Sequence, residues 1–99
     1  MLYIIEGFDK ANSLSTRKDT RAAHLAYVEL LKTAGRLIIA GPCPAIDSPD
    51  PGSAGMSGSV IIAEFESLAQ AKAWASDDPY SKAGVFSRVD VRPFIHVLP

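Results

Sequence analysis

The chain has 99 residues, which is one domain's worth of core and leaves no room for a second. With 47% hydrophobic and 21% charged residues it has the balance of a globular protein. A net charge of −1 and a pI near 6.0 provide no basic footprint, so neither nucleic acid nor an anionic membrane is expected as the main partner.

Residues 2–8 alternate, with Leu2, Ile4, Glu6 and Phe8 on one side and Tyr3, Ile5 and Gly7 on the other. This is a strand with apolar character on both faces. The start is apolar too briefly, and too poor in basic residues, for a signal peptide. No stretch reaches the ~18 apolar residues of a membrane span, so a cytoplasmic location is expected. After a polar, turn-rich stretch over 9–19, Arg17, Arg21, His24, Val28 and Leu31 recur at spacings of four, three, four and three. They form one stripe of a helix, widened by Leu25. The helix begins between Ser15 and Thr20, with Asp19 or Thr20 as a good N-cap, and stops at Gly35.

Leu37 to Ala40 reads as a second strand ending at Gly41-Pro42. The Pro- and Gly-rich segment 44–58 reads as an irregular loop, and one so long in a small domain suits a binding loop or lid. We expect residues 44–57 to gate a pocket mouth. Residues 59–65 form a third strand. Ser67-Leu68-Ala69-Gln70 is a capping box opening a second helix that ends near Asp77, because Pro79 disfavours helical geometry in the residue before it. Asp78 then caps a short turn closed by Gly84. Residues 87–97 form the last strand, with Val89, Val91 and Pro93 facing one way and Arg88, Asp90 and Arg92 the other. Pro93 suits an edge or a bulge.

The order βαββαβ predicts an α+β fold, a ferredoxin-like sandwich with both helices on one face of a four-stranded antiparallel sheet. The opposite face is then apolar and uncovered, and a second copy is its simplest cover, so a homodimer is expected.

Several segments resemble the YCII-related family: Met1-Leu2-Tyr3, Arg21-Ala22-Ala23-His24-Leu25, Ala34-Gly35-Arg36-Leu37, Ala40-Gly41-Pro42, Asp50-Pro51-Gly52, Ala63-Glu64-Phe65-Glu66-Ser67, Asp78-Pro79-Tyr80 and Pro93-Phe94. Their order and spacing cover nearly the whole chain as one domain. The resemblance implies a dimeric α/β-barrel version of the ferredoxin-like fold, related in architecture to muconolactone isomerases. It also implies a His–Asp pair that maps onto His24 and Asp78, and at least one branch of the family is a dehydrochlorinase of chloroaromatic breakdown. The chain departs from the family at Ala22-Ala23, where members often carry proline just before the position of Ala23. That bears on the helix start and not on the dyad.

The residues allow a bland and a functional reading. His24 on an apolar stripe can be a satisfied, half-buried helix residue. With a carboxylate on one ring nitrogen, the other is free to move a proton. Asp78 before a proline can be only an N-cap, or one oxygen can cap while the other orients His24. An ionised Asp78 would stabilise an imidazolium, and a helix start at Thr20 would oppose it. Arg21 either binds a substrate carboxylate, pairs with Asp19 or lies in water. Tyr80 either lines the pocket or, more simply, packs on Trp74. Gly41 and Pro42 shape a wall or end the strand, and Ser59 offers a hydroxyl. Cys43 between two prolines reads as a small buried apolar residue. Asp47 and Asp50 read as turn formers, since the other ligands of a calcium site are missing.

The glycines form no phosphate-binding motif, and no metal site or cofactor is expected. A small cofactor-independent enzyme of the proton-transfer or elimination kind, an isomerase or lyase acting on a small metabolite, fits these residues. The other class is a non-catalytic dimeric ligand-binding protein. Loss of turnover with retained ligand affinity in His24→Ala separates the two.

Overall fold

The computed structural model describes residues 1–99. In chain order it has β1 (Leu2–Asp9), α1 (Leu14–Thr33), β2 (Leu37–Pro44), a 3-10 turn (Gly52–Ala54), β3 (Met56–Glu64), α2 (Leu68–Asp77), α3 (Pro79–Lys82) and β4 (Phe86–Phe94). The strands form one antiparallel sheet in the order β2-β3-β1-β4. This is the ferredoxin-like sandwich. Pro93 lies in an edge strand, where the N–H it lacks is not needed by a second neighbour.

The alternation of β1 separates the two faces. Tyr3 and Ile5 are buried with Ile61 and Ala63 of β3 against Val28 and Leu31 of α1 and Ala71 and Ala75 of α2. The register Ile4↔Ile62↔Ile39 places three isoleucines side by side on the opposite face. Ile39 is 59% exposed there. An ion pair between Arg92 and Glu6 lies among the side chains of this face.

Several strand ends shift by one residue, and four boundaries differ in ways that bear on the fold. The first helix begins at Leu14, earlier than the Ser15–Thr20 window. The expected caps, Asp19 and Thr20, lie inside it, and the Thr20 hydroxyl donates back to the Thr16 carbonyl. The N-cap is Ser13, whose own hydroxyl is turned to the Lys10 carbonyl and does not cap. β2 continues past Gly41-Pro42 to Pro44, because an edge strand tolerates proline, and Pro42 still pairs with Ser59. β3 starts at Met56, three residues before the expected Ser59. β4 stops at Phe94, short of the expected residue 97.

The ends of the later elements follow the sequence. Gly35 closes α1 at φ +71° and Gly84 closes α3 at φ +79°, both in the left-handed region that glycine tolerates. Ser67 caps α2 by accepting from the Gln70 N–H at 3.1 Å. Only that half of the capping box forms, since the Gln70 side chain reaches Glu66 instead.

Gly7 is a packing necessity. A Cβ added there would lie 2.6 Å from ring carbons of Phe86, which meets Tyr80 edge-on at 5.9 Å between centroids. Gly7→Ala should therefore displace the Phe86 ring and cost about 1–3 kcal/mol through overpacking. Urea denaturation of Gly7→Ala, alone and with Phe86→Leu, checks this. A single variant as stable as the parent contradicts the packing argument.

Candidate functional site

A cavity of about 520 Å³ opens between α1 and the β2–β3 half of the sheet. Arg17, Arg21 and His24 line it from α1, Ala40, Gly41 and Pro42 from β2, and Ser59 and Ile61 from β3. Tyr80 of α3 closes the inner end, and Asp50, Pro51, Gly52 and Gly55 form a wall. The long Pro/Gly loop thus borders the site. Gly41 and Pro42 shape the wall and do not end their strand.

His24 sits in the third turn of α1, only 8% exposed. The earlier helix start removes the N-terminal field from the question, because that field fades within the first turn. The His24 Nδ1 lies 2.8 Å from Asp78 Oδ1, and Asp78 is 4% exposed behind it. The same Oδ1 accepts the Tyr80 N–H at 2.9 Å, so one oxygen does both jobs that the sequence reading divided between two. Asp78 is held by its place between α2 and the proline that starts α3. As a carboxylate it makes Nδ1–H the donor, leaving Nε2 without a protein partner on a side chain that lines the cavity.

Tyr80 does not pack on Trp74. Its ring stacks on His24, centroids 3.8 Å apart and planes 11° from parallel, while Trp74 stacks on Tyr27 at 4.6 Å. The stack blocks one face of the imidazole and, with the Asp78 bond, fixes its orientation. Burial pushes the Tyr80 phenol up, and the opposing charges of Arg17 and Arg21 do not cancel the effect, so the hydroxyl stays protonated at neutral pH. Burial, then the charges of Asp77 and Asp78, push the Tyr27 phenol up to about 12.

Arg17 is the site residue that the sequence reading placed on the stripe without assigning it a role. It is 6% exposed. Its Nε and Nη2 grip both Asp9 oxygens at 2.9 and 2.8 Å. Nη2 also donates to Ser59 Oγ at 2.9 Å and to the Gly58 carbonyl at 3.2 Å. The guanidinium carbon lies 4.7 Å from the Tyr80 ring centre. Burial works against its charge, but the bonds to and charge of Asp9 outweigh burial and raise its pKa, so the group stays cationic. Ser59 is thereby a partner of Arg17 as well as a wall residue.

Arg21 has no carboxylate partner, and the pairing with Asp19 does not form. Cys43 is half-buried rather than buried. No three His, Cys, Asp or Glu side chains converge on a point where a metal could be held. No helix is long and apolar enough to cross a membrane. The arrangement can position a small molecule against an oriented imidazole and transfer a proton.

Comparison with known proteins agrees with this architecture. Residues 1–95 match the YCII-related domain. The chain is 58% identical over 94 residues to Protein YciI of Escherichia coli, covering 95% of this chain and 96% of that protein. An uncharacterized protein of Haemophilus influenzae is 48% identical over 94 residues, with the same coverage. Among solved structures, 5-chloro-2-hydroxyhydroquinone dehydrochlorinase of Burkholderia phenoliruptrix AC1100, in complex with 2,5-dihydroxybenzoquinone, superposes with a TM-score of 0.86 at 35% identity. The match covers 98% of this chain and 96% of that one. Matched over almost its whole length, the chain belongs to the YCII-related family.

Proposed function

We propose that this protein is a cofactor-independent lyase or isomerase in which His24 and Asp78 form an acid–base dyad. The observation that carries the reading is the buried His24 Nδ1–Asp78 Oδ1 bond behind a cavity-lining imidazole. The dehydrochlorinase activity of the similar Burkholderia protein supports the elimination class. In the proposed step Nε2 takes a proton from the substrate. The electrons of the broken bond form a new double bond, and a leaving group departs with its own pair or the proton returns to another atom. Asp78 balances the imidazolium that forms, and Arg17, Arg21 and Ser59 hold substrate oxygens.

The test presents hydroxylated aromatic compounds bearing a halide, starting with 5-chloro-2-hydroxyhydroquinone, and measures chloride release. His24→Ala should slow release about 10²–10⁴-fold and keep its affinity for 2,5-dihydroxybenzoquinone. Binding without turnover across the series favours the non-catalytic ligand-binding class instead.

The working unit in this reading is a homodimer closed through the sheet face that carries Ile4, Ile39 and Ile62, supported by that face's apolar register. Light scattering at micromolar concentration should give twice the chain mass, and Ile62→Arg should give the monomer. A monomeric parent chain refutes the dimer.

A further inference from the structure

The charged residues around the cavity are unequal. Arg17, Lys18 and Arg21 line it from α1, and Asp50 is the one carboxylate on its wall. Arg17 is already matched by Asp9 through two bonds, so its net contribution to the field is small. Lys18 and Arg21 have no carboxylate within ion-pair distance, and neither does Asp50 have a cationic partner. Both cations are exposed at the outer end of the cavity, while Arg17 and Ser59 are buried at 6% and 7% exposure deeper in it. Focusing by low-dielectric walls strengthens such a field inside a cleft.

We infer that the cavity is built for a small flat anion, a carboxylate or ionised enol, whose charge meets Lys18 and Arg21 at the mouth while a second oxygen reaches Arg17 and Ser59. This rests on the proposed function and narrows its substrate to an acid. Asp50 works against the anion from the loop wall, so it sets the affinity in the opposite sense. Its side chain makes no hydrogen bond; only its backbone bonds Ser48. The three residues are exposed, and changing them does not disturb the core.

The experiment is calorimetric titration with 2,5-dihydroxybenzoquinone, which is ionised at neutral pH, and with its neutral dimethyl ether. The anion should bind at least tenfold more tightly than the ether and weaken as salt rises. Lys18→Gln and Arg21→Gln should each weaken the anion by about tenfold, the loss of one charge-assisted contact, and leave the ether unchanged. Asp50→Asn should tighten the anion. His24→Ala should keep the preference for the anion, so a missing dyad and a missing charge preference are told apart. Equal binding of anion and ether, no binding of the anion at millimolar concentration, or an Asp50→Asn variant that binds more weakly overturns the inference.

Discussion

Asp78→Asn should leave the protein folded and leave His24 in the same tautomer, while Asp78→Ala should lose both the cap and the tautomer. The reason lies in the shared oxygen. Oδ1 of Asp78 is fixed by the Tyr80 N–H at 2.9 Å and faces Nδ1 of His24 at 2.8 Å. An asparagine in the same rotamer keeps a carbonyl oxygen at that point, and Tyr80 N–H selects the oxygen over the amide nitrogen. The Nδ1–H donor is therefore retained, and the negative charge behind it is lost. Asparagine also caps as well as aspartate does, so stability should hardly change. Alanine removes the acceptor and should cost about 1 kcal/mol through the lost cap. Long-range nitrogen–proton NMR reads the tautomer without any substrate. In the proposed reaction His24→Ala sets the floor. Asp78→Asn should fall between that floor and the parent, by roughly tenfold if the charge contributes ~1.4 kcal/mol to the imidazolium. Two results would sink the dyad: Nε2–H as the tautomer of the parent protein, or parent-like turnover in Asp78→Asn.

Part of this site was legible in the chain because local chemistry marks a helix end and an apolar stripe, while the pairing of His24 with Asp78 came from the resemblance to the YCII-related family. Asp78 stands where a helix has to stop before Pro79, and His24 lies on a stripe whose neighbours Val28 and Leu31 are apolar. The strand alternation of residues 2–8 sorted them correctly onto two faces, since a period of two leaves little choice, but with apolar residues on both it did not say which face is the core. What failed was information carried by space. Arg17 is on the same stripe as His24, yet nothing local says that Asp9 turns back from the end of β1 to meet it. The Tyr80–His24 stack depends on how α3 folds over α1, whereas Trp74 was the nearer aromatic residue in sequence. The start of α1 was misplaced because Asp19 and Thr20 are good caps, while nothing local singles out Ser13. Its hydroxyl serves the preceding turn, and the Arg17–Asp9 pair ties the first turn of the helix to β1 instead.

Arg17→Met should be among the most damaging single changes in the protein, and Asp9→Leu in the same chain should restore much of the loss. The Asp9 side chain is 4% exposed and both of its oxygens are held by Arg17. Removing the guanidinium leaves a buried carboxylate with no counter-charge and takes donors from Ser59 Oγ and the Gly58 carbonyl. Breaking a buried pair from one side costs about 3–5 kcal/mol, a large part of the ~5–15 kcal/mol that holds a domain together. Replacing both partners removes the stranded charge, and an apolar pair of similar volume is often near neutral. Arg17→Lys should lie between, because an ammonium keeps the charge but cannot bridge two oxygens and a hydroxyl in one plane. Urea denaturation of the two single variants and the double variant measures the coupling. The double variant should fold like the parent and still bind 2,5-dihydroxybenzoquinone more weakly, since the guanidinium donor at the inner end of the cavity is gone. Additive losses, with the double variant less stable than either single, would mean that Arg17 supports the fold through its packing against Tyr80 and Phe86 and not through Asp9.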